Sequence, residues 1–462
     1  MRPILLLPAA VLLVSSCVLG PEPGSPQIKT PGSIRGDAAP HGASFGDQAW
    51  RKVFTDAAMR KLIARALQNN PDLVAATYHI EEARAQAAIA HAAWFPMLNG
   101  SAEATSHYAS KNAGQVAPGS SRHSESYSLA GLLSWELDLW GGIRRDNQAA
   151  RAKLLQAEAQ RDGVQTSLIA AIASAYIDLK NLDERLAISR STTESRKESL
   201  KLVTSRRDGG VSSDLEVGQA EALLYQAQVT IPVTERGIAA KENEIRALLG
   251  EYPGGITRGG SLDSLGSALH IAGGLPAALM ERRPDLSAAN QAYQAATAQI
   301  GVAEALRLPS LSLTGNGGVV SSELNHLLEG KAAAYSIGPQ LTGPIFDAGR
   351  GRAVVQAAQA SAKIALATYQ KAAQQAFQEA ADAIDFYQKS GMIIADESKL
   401  VVSQRNVAAL ALERFQGGAS SYLEVLDAER SLFTAENDLA DARSNRLLAV
   451  VQAYRALGGG WK

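Results

Sequence analysis

The chain contains one stretch of sequence twice, and the second copy lies 208 residues after the first. Residues 209–228 and 417–436 are identical at eleven of twenty aligned positions. The same offset pairs Gly141 with Gly349. A repeat that keeps its register over this length indicates duplication. Any fold proposed for one half of the chain must therefore also fit the other half.

In each half a helical segment begins at a Pro-Asp pair, Pro71-Asp72 and then Pro284-Asp285. Proline is favourable in the first turn of a helix, and asparagine is a good N-cap. Asn70 therefore predicts a well-capped start in the first half, whereas Arg283 is a poorer cap in the second.

Beyond Pro96 and Pro309 the hydrophobic period changes to two, which indicates β-strands. From Tyr127 to Leu137 the odd positions are mostly apolar and the even positions mostly polar. We predict four strands in two hairpins, over residues 97–138 and 310–346.

This alternation is typical of a membrane barrel, although a soluble sandwich could alternate in the same way. Four strands cannot close a barrel, since the smallest barrels have about eight. The chain must therefore form oligomers if its sheet edges are to be paired. Two, three or four copies all satisfy this condition.

A very long helical tract follows each strand hairpin, and we predict coiled-coil hairpins over residues 145–250 and 350–456. Leu168, Ala175 and Leu182 recur every seven residues, as in a heptad seam. About sixty residues of helix would extend roughly 90 Å at about 1.5 Å per residue.

A Gly-Gly pair followed by two serines is predicted to form the tip of each coiled-coil hairpin. Glycine ends helices readily and serine caps the next helix. The eight tip residues are Gly209, Gly210, Ser212, Ser213, Gly417, Gly418, Ser420 and Ser421.

The amino terminus has the pattern of a secretory signal, with an apolar run from Ile4 to Val14 behind Arg2. It leads to Cys17, the single cysteine of the chain, so no intramolecular disulfide can form. The sequence here resembles a bacterial lipobox, which implies covalent lipid on Cys17. Val18 follows Cys17, and in similar lipoproteins the absence of Asp there accompanies sorting to the outer membrane.

These features predict the following organisation: signal peptide 1–16, lipidated linker 17–50, first repeat 51–254, connection 255–275, second repeat 276–456 and tail 457–462.

Several other function classes are disfavoured. Forty-five basic and forty-six acidic residues give a net charge of −1, which offers no electrostatic basis for nucleic-acid binding. Gly42–Gly46 fits the G-x-S-x-G nucleophile pattern but lies in a Pro/Gly-rich linker. Gly349–Gly351 lacks the third glycine of a dinucleotide loop, and the histidines show no zinc spacing. We therefore expect no enzyme, no metal and no cofactor apart from the lipid.

The order of elements, together with short motifs spread over the mature chain, resembles the TolC-like outer-membrane efflux family, and the acylated amino terminus resembles its OprM/NodT lipoprotein branch. The matching motifs are Phe45–Asp47 with Trp50, Asn70–Leu73, Trp135–Gly141, Arg282–Leu286, Pro344–Phe346 and Leu457–Trp461.

That resemblance implies a homotrimer, with a twelve-stranded outer-membrane β-barrel on a periplasmic barrel of twelve helices. It also implies a passive efflux duct that works with a periplasmic adaptor protein and an inner-membrane pump of the RND type. The hairpin tips would contact the adaptor.

In similar proteins acidic rings narrow the periplasmic mouth, and their positions fall here on Glu424 and Asp427. The first repeat keeps Glu216 but has Gln219, so we expect the second hairpin to line the constriction. Phe415 and Ser420 stand where some relatives of similar sequence carry a tyrosine and an arginine that latch the coils, so the resemblance does not imply that polar latch for this chain.

Two alternative functions remain at this stage: an exit duct for type I protein secretion, and a trimeric coiled-coil structural or adhesin lipoprotein. The division of the strands between two repeats favours a duct over the structural protein.

Overall fold

A computed structural model describes residues 18–35, 44–110, 112, 121–262, 271 and 276–460. The predicted signal peptide, Cys17, most of the first strand hairpin's loop and part of the inter-repeat connection lie outside the described residues.

The chain forms two compact units. The first, here named the sheet unit, comprises Met1–Gln27, Ile80–Ala157 and Ala289–Tyr369. The second, named the coil unit, comprises Ile28–His79, Glu158–Ala288 and Gln370–Lys462.

The predicted combination of long helices and four strands is confirmed. In the described residues the α-helices are α1 (Trp50–Val53), α2 (Ala57–Asn69), α3 (Pro71–Ala92), α4 (Gly142–Asp208), α5 (Asp214–Leu248), α6 (Pro276–Arg282), α7 (Pro284–Ala305), α8 (Arg350–Gln416) and α9 (Tyr422–Ala456). Helices α4 and α8 have 67 residues each, and α5 and α9 have 35 each. The two repeats thus contain matched pairs of helices.

The sheet unit contains one antiparallel sheet. Its strands are β1 (Met97–Tyr108), β2 (His123–Leu137), β3 (Ser310–Ser321) and β4 (Ala333–Thr342), in the order β1-β2-β3-β4. The two predicted hairpins are confirmed, and they are joined by pairing of β2 with β3, with Tyr127 opposite Ser321 at one end and Leu137 opposite Leu311 at the other.

The last strand is shorter than the sequence pattern suggested. The second hairpin is predicted to extend to residue 346, but β4 ends at Thr342. Gly343 and Pro344 follow, and proline has no N–H to donate to a strand ladder. Ile345 and Phe346 are exposed after the strand ends.

The two Pro-Asp helix starts are confirmed. Asn70 accepts a hydrogen bond at Oδ1 from the Leu73 N–H at 3.1 Å, as an N-cap does. Arg283, at the matching position, is buried instead and pairs with Asp285 and Glu379, with Nη2–oxygen distances of 2.7 Å and 2.8 Å. The arginine therefore has a tertiary role where the asparagine has a local one.

Ser44, the serine of the G-x-S-x-G pattern, is buried and caps a short 3-10 helix, Phe45–Asp47. Its Oγ accepts from the Gly46 N–H at 3.2 Å, and its own N–H donates to Asp47 Oδ2 at 3.1 Å. This is a capping arrangement, with the hydroxyl used locally.

Among the described residues, none of the helices combines the length and the apolar character needed to cross a membrane.

Candidate functional site

The tips of the two coiled-coil hairpins, both in the coil unit, end their first helix in the same way. Gly210 and Gly418 have φ angles of 75° and 74°. The Gly210 N–H donates to Arg207 O and the next N–H, that of Val211, donates to Arg206 O, both at 2.8 Å. Gly418 and Ala419 repeat these bonds in the second hairpin. This is a Schellman motif, and it uses glycine because the left-handed backbone disfavours a side chain.

The two tips differ at the start of the next helix. Ser213 forms a capping box with Glu216, whose Oε2 accepts from the Ser213 N–H at 2.8 Å. Ser421 occupies the N-cap of α9 but makes no side-chain cap hydrogen bond, so the prediction that it caps through its side chain is wrong. Ser212 and Ser420, one position earlier, each have a buried Oγ without a hydrogen-bond partner in the described residues.

The different N-cap follows from a substitution in the repeat. Tyr422 stands where the first repeat has Asp214, and it is buried against Phe415 with a ring-centroid distance of 5.2 Å. Packing of this aromatic pair, worth about 0.5–1.5 kcal/mol beyond area burial, favours a different local arrangement from the capping box.

An apolar core joins the two hairpins near their tips. It is built from small and aliphatic side chains of four helices around the two aromatic rings. Its buried members are Val203, Val217, Ala220, Leu223, Ala411, Phe415, Tyr422, Val425, Leu426 and Ala428. The tips of the two repeats are therefore packed against each other within one chain.

Arg206 connects the first hairpin to the second. Its guanidinium lies over the Phe415 ring, 4.8 Å from the centroid, and Nη1 donates to Gln416 O at 2.9 Å. The Phe415 ring is thus held by stacking of the Arg206 guanidinium.

A buried polar cluster lies deeper between the same hairpins. The Arg196 side chain is 2% exposed, and its Nη1 donates to Leu223 O at 2.8 Å. Ser199 Oγ donates to Glu429 Oε1 at 2.9 Å, and Arg196 also lies 5.3 Å from the Phe433 ring centroid. Sequence reasoning missed this cluster, since an arginine and a glutamate are ordinary residues on the outer face of a coiled coil.

Burial shifts the pKa values of both charged members of this cluster. It lowers the pKa of Arg196, with the charge of Glu429 opposing the shift. It raises the pKa of Glu429, opposed by the Ser199 hydrogen bond and the Arg196 charge. Desolvation outweighs pairing for each group, as is common for buried ion pairs.

The two predicted gate residues are on one exposed face of α9. Glu424 and Asp427 are both exposed. Glu424 Oε2 lies 3.5 Å from Arg414 Nε at the end of α8, in a pair whose side chains are both more than half exposed. Such a pair adds little stability. The carboxylates of Glu424 and Asp427 therefore lie on the same exposed surface of α9, where both are accessible to solvent.

The predicted lipid site, Cys17, lies outside the described residues. Among the residues that the structure describes, no group of three or more metal-ligating side chains is close enough together to hold a metal ion.

The architecture defines a class of protein: an internally duplicated chain with one four-stranded antiparallel sheet and two coiled-coil hairpins. Residues 62–251 and 275–459 match the model of the outer membrane efflux protein family. The chain belongs to that family, and it is an outer-membrane channel for efflux.

Individual relatives are similar to this protein in sequence and structure along almost the whole chain. The solvent efflux pump outer membrane protein SrpC of Pseudomonas putida is 34% identical over 466 residues, covering 98% of this chain and 97% of SrpC. The outer membrane protein OprJ of Pseudomonas aeruginosa is 34% identical over 459 residues, covering 97% of this chain and 94% of OprJ. The structure of the outer-membrane channel OprN superposes with a TM-score of 0.89 at 32% identity, covering 96% of this chain and all of that one.

Proposed function

We propose that three copies of this chain form a passive duct that carries small toxic molecules out across the outer membrane. The observation that carries oligomerisation is the sheet, while the number of three copies is what the resemblance to the TolC-like efflux family implies. β1 and β4 are its edge strands and have no second neighbour in the described residues. Unpaired strand edges are unfavourable unless another strand covers them. Three sheets of four strands each would join β4 of one copy to β1 of the next and leave no edge.

The duct would take its energy and cargo from other proteins. Members of the outer membrane efflux family work with a periplasmic adaptor and an inner-membrane pump, and we propose an RND-type pump for this chain. The exposed hairpin tips, with Val211 and Leu215 in the first repeat and Leu423 in the second, would offer the adaptor apolar side chains.

The cargo class is inferred from relatives of similar length. SrpC is named for solvent efflux, and the antibiotic efflux pump outer membrane protein ArpC is 33% identical over 417 residues. Apolar or amphipathic organic compounds are therefore the proposed cargo.

Two residue assignments complete the proposal. Glu424 and Asp427 would form acidic rings at the narrow periplasmic mouth, where gathered carboxylates attract cations. Cys17 would carry lipid and anchor the amino terminus, since more than one acyl chain is needed for stable anchoring. The contacts that hold the mouth closed would include the Arg196–Glu429 cluster and the stacking of Arg206 on Phe415.

Single-channel recording tests the duct. Purified protein in planar bilayers should give stepwise cation-selective currents, and chemical crosslinking should yield a trimer. A structural or adhesin lipoprotein would give no currents, and that result would overturn the proposal. Deletion of the gene should raise sensitivity to solvents or antibiotics, whereas loss of a secreted polypeptide alone would favour a type I secretion duct.

A further inference from the structure

The first described residues of the chain form a segment without helix or strand that is tied to the sheet unit. We name residues Val18–Gln27 the N-terminal strap. The Leu19 N–H donates to Trp140 O at 3.1 Å, just before α4. Near the other end of the strap, Asn290 Nδ2 donates to Ser25 Oγ at 2.9 Å. The strap is thus attached at both ends.

Arg145 holds the middle of this strap. Its side chain is 2% exposed, and three of its nitrogens reach strap oxygens at 3.0 Å: Nε to Leu19 O, Nη2 to Gly20 O and Nη1 to Glu22 Oε2. Nη1 also donates to Gln148 Oε1 at 2.9 Å. A buried arginine whose donors are used this fully defines the position of the segment that it binds.

Close backbone approaches fix the Val18 end of the strap. Gly141 has a φ of 76°, and a Cβ there would lie 2.9 Å from Val18 Cα. Gly20, with a φ of 78°, approaches Gly301 in the same way, with 2.5 Å from a built Cβ to Gly301 Cα. Both contacts need glycine, so the position of Val18 is specific.

The strap site exists in one repeat only. At the 208-residue offset, Ala353 takes the place of Arg145, and Gly349 takes the place of Gly141. A Cβ on Gly349 would meet nothing within 4 Å. Arg145 and the close contact at Gly141 therefore belong to the first repeat and have no counterpart at the matching described positions of the second.

A cavity of about 480 Å³ lies beside this attachment point within the sheet unit. Trp140 and Gly142, the neighbours of Gly141, both line it, together with Ile143, Val302, Leu306 and Leu308. Trp140 Nε1 is engaged by Pro309 O at 2.7 Å, which leaves its ring as an apolar wall.

Carboxylates also line the cavity, but two of them are already engaged. Asp138 accepts from the Ile143 and Arg144 N–H groups at 3.1 Å and 2.9 Å. Asp146 accepts from Gln299 Nε2 at 3.1 Å. Glu136 is the third. The remaining surface is mainly aliphatic and aromatic, the usual character of a site for an apolar ligand.

We infer that this cavity holds one acyl chain of the lipid carried by Cys17. The strap positions that acyl chain in the cavity. This inference rests on the lipidation in the proposed function. Cys17 is one peptide bond from Val18, so its Cα is about 3.8 Å from that of Val18. A tether this short gives the acyl chain a high effective concentration at the cavity.

Photocrosslinking tests this inference on the full-length protein. Cells are grown with a diazirine-bearing palmitate analogue, irradiated, and the purified protein is digested and mapped by mass spectrometry. Crosslinks from the Cys17 lipid should fall on Trp140, Ile143 and Leu306. The cavity-filling variant Val302→Phe should lose these crosslinks while still carrying the lipid and conducting ions.

The outcomes separate the two proposals. If Cys17 carries no lipid mass, both the lipidation and this inference fail, while the duct is unaffected. If the lipid is present but its crosslinks fall only on membrane phospholipids or on β1, lipidation stands and the cavity assignment is overturned. Crosslinks at the cavity in a Cys17→Ser variant would show a free lipid as occupant and would also overturn it.

Discussion

Arg196 and Glu429 belong to different coiled-coil hairpins, and Arg196 Nε lies 3.9 Å from Glu429 Oε2 inside the coil unit, with side chains 2% and 13% exposed. Neither of these two atoms has a hydrogen-bond partner in the described residues. The pair therefore connects the two repeats at a cost in desolvation, and such pairs serve specificity more readily than stability.

Replacing one member of this pair should destabilise the coil unit more than replacing both. Arg196→Met leaves the Glu429 charge buried without its counterion, and we expect a loss of about 3–5 kcal/mol in unfolding free energy. Arg196→Met with Glu429→Leu should recover most of that loss. Guanidinium unfolding followed by circular dichroism measures both; equal losses in the single and double variants would contradict the expectation.

Acid should stabilise the cluster. Burial raises the pKa of Glu429 above its ordinary 4.5, so the folded chain binds a proton more readily than the unfolded chain. The contribution of this group to stability is therefore greatest below pH 4.5 and falls as the pH rises through the raised pKa. The Glu429→Gln variant lacks this pH-dependent contribution to stability, but its amide oxygen still accepts a hydrogen bond from Ser199.

The measurement compares unfolding midpoints of the wild type and Glu429→Gln at several pH values from 4.5 to 7.5. The wild type should gain stability relative to the variant as the pH falls. A difference that does not change with pH would show that Glu429 titrates in the same way in the folded and unfolded chains.

Removal of the proposed acidic rings should change ion flow. Glu424→Ala with Asp427→Ala removes the carboxylates and shortens the side chains, so resting conductance should rise and cation preference should fall. Planar bilayer recordings with a salt gradient measure both quantities. Glu216→Gln, at the matching site of the first repeat, keeps an acceptor for the capping box and should leave both quantities unchanged. If Glu216→Gln changed conductance and cation preference as much as the double variant, the assignment of the constriction to the second repeat would be wrong.

The second hairpin tip should depend on its glycine. Gly418→Val places a β-branched side chain at a φ of 74°, a conformation that costs roughly 1–3 kcal/mol for such residues. We expect export to fall while the trimer persists on crosslinking. Gly417→Ala is the matched control, since its Cβ would make ordinary contacts with Glu413 O and Arg414 O at 3.5 Å and 3.7 Å. Normal export by Gly418→Val would exclude this tip from the adaptor contact.

The tips show where sequence reasoning from the repeat succeeds and where it fails. Both Gly-Gly pairs end their helices as predicted, because the left-handed turn is a property of a few neighbouring residues. The second serine cap fails, although Ser213 and Ser421 occupy equivalent positions. Tyr422 packs on Phe415, and Glu424 lies near Arg414 instead of returning to the N-cap.

The sequence by itself determined the duplication, because the two copies can be compared directly. It also determined the strand and helix periods and the glycine-terminated helix ends, since each of these depends on residues within about one or two turns of one another. Only the tertiary structure decided the pairing of β2 with β3, the docking of the strap on Arg145 and the Ser199–Glu429 contact, whose members are 230 residues apart. A local pattern reports which face of an element is apolar, but not which distant side chain will be desolvated against it. Those choices depend on the packing of the whole chain.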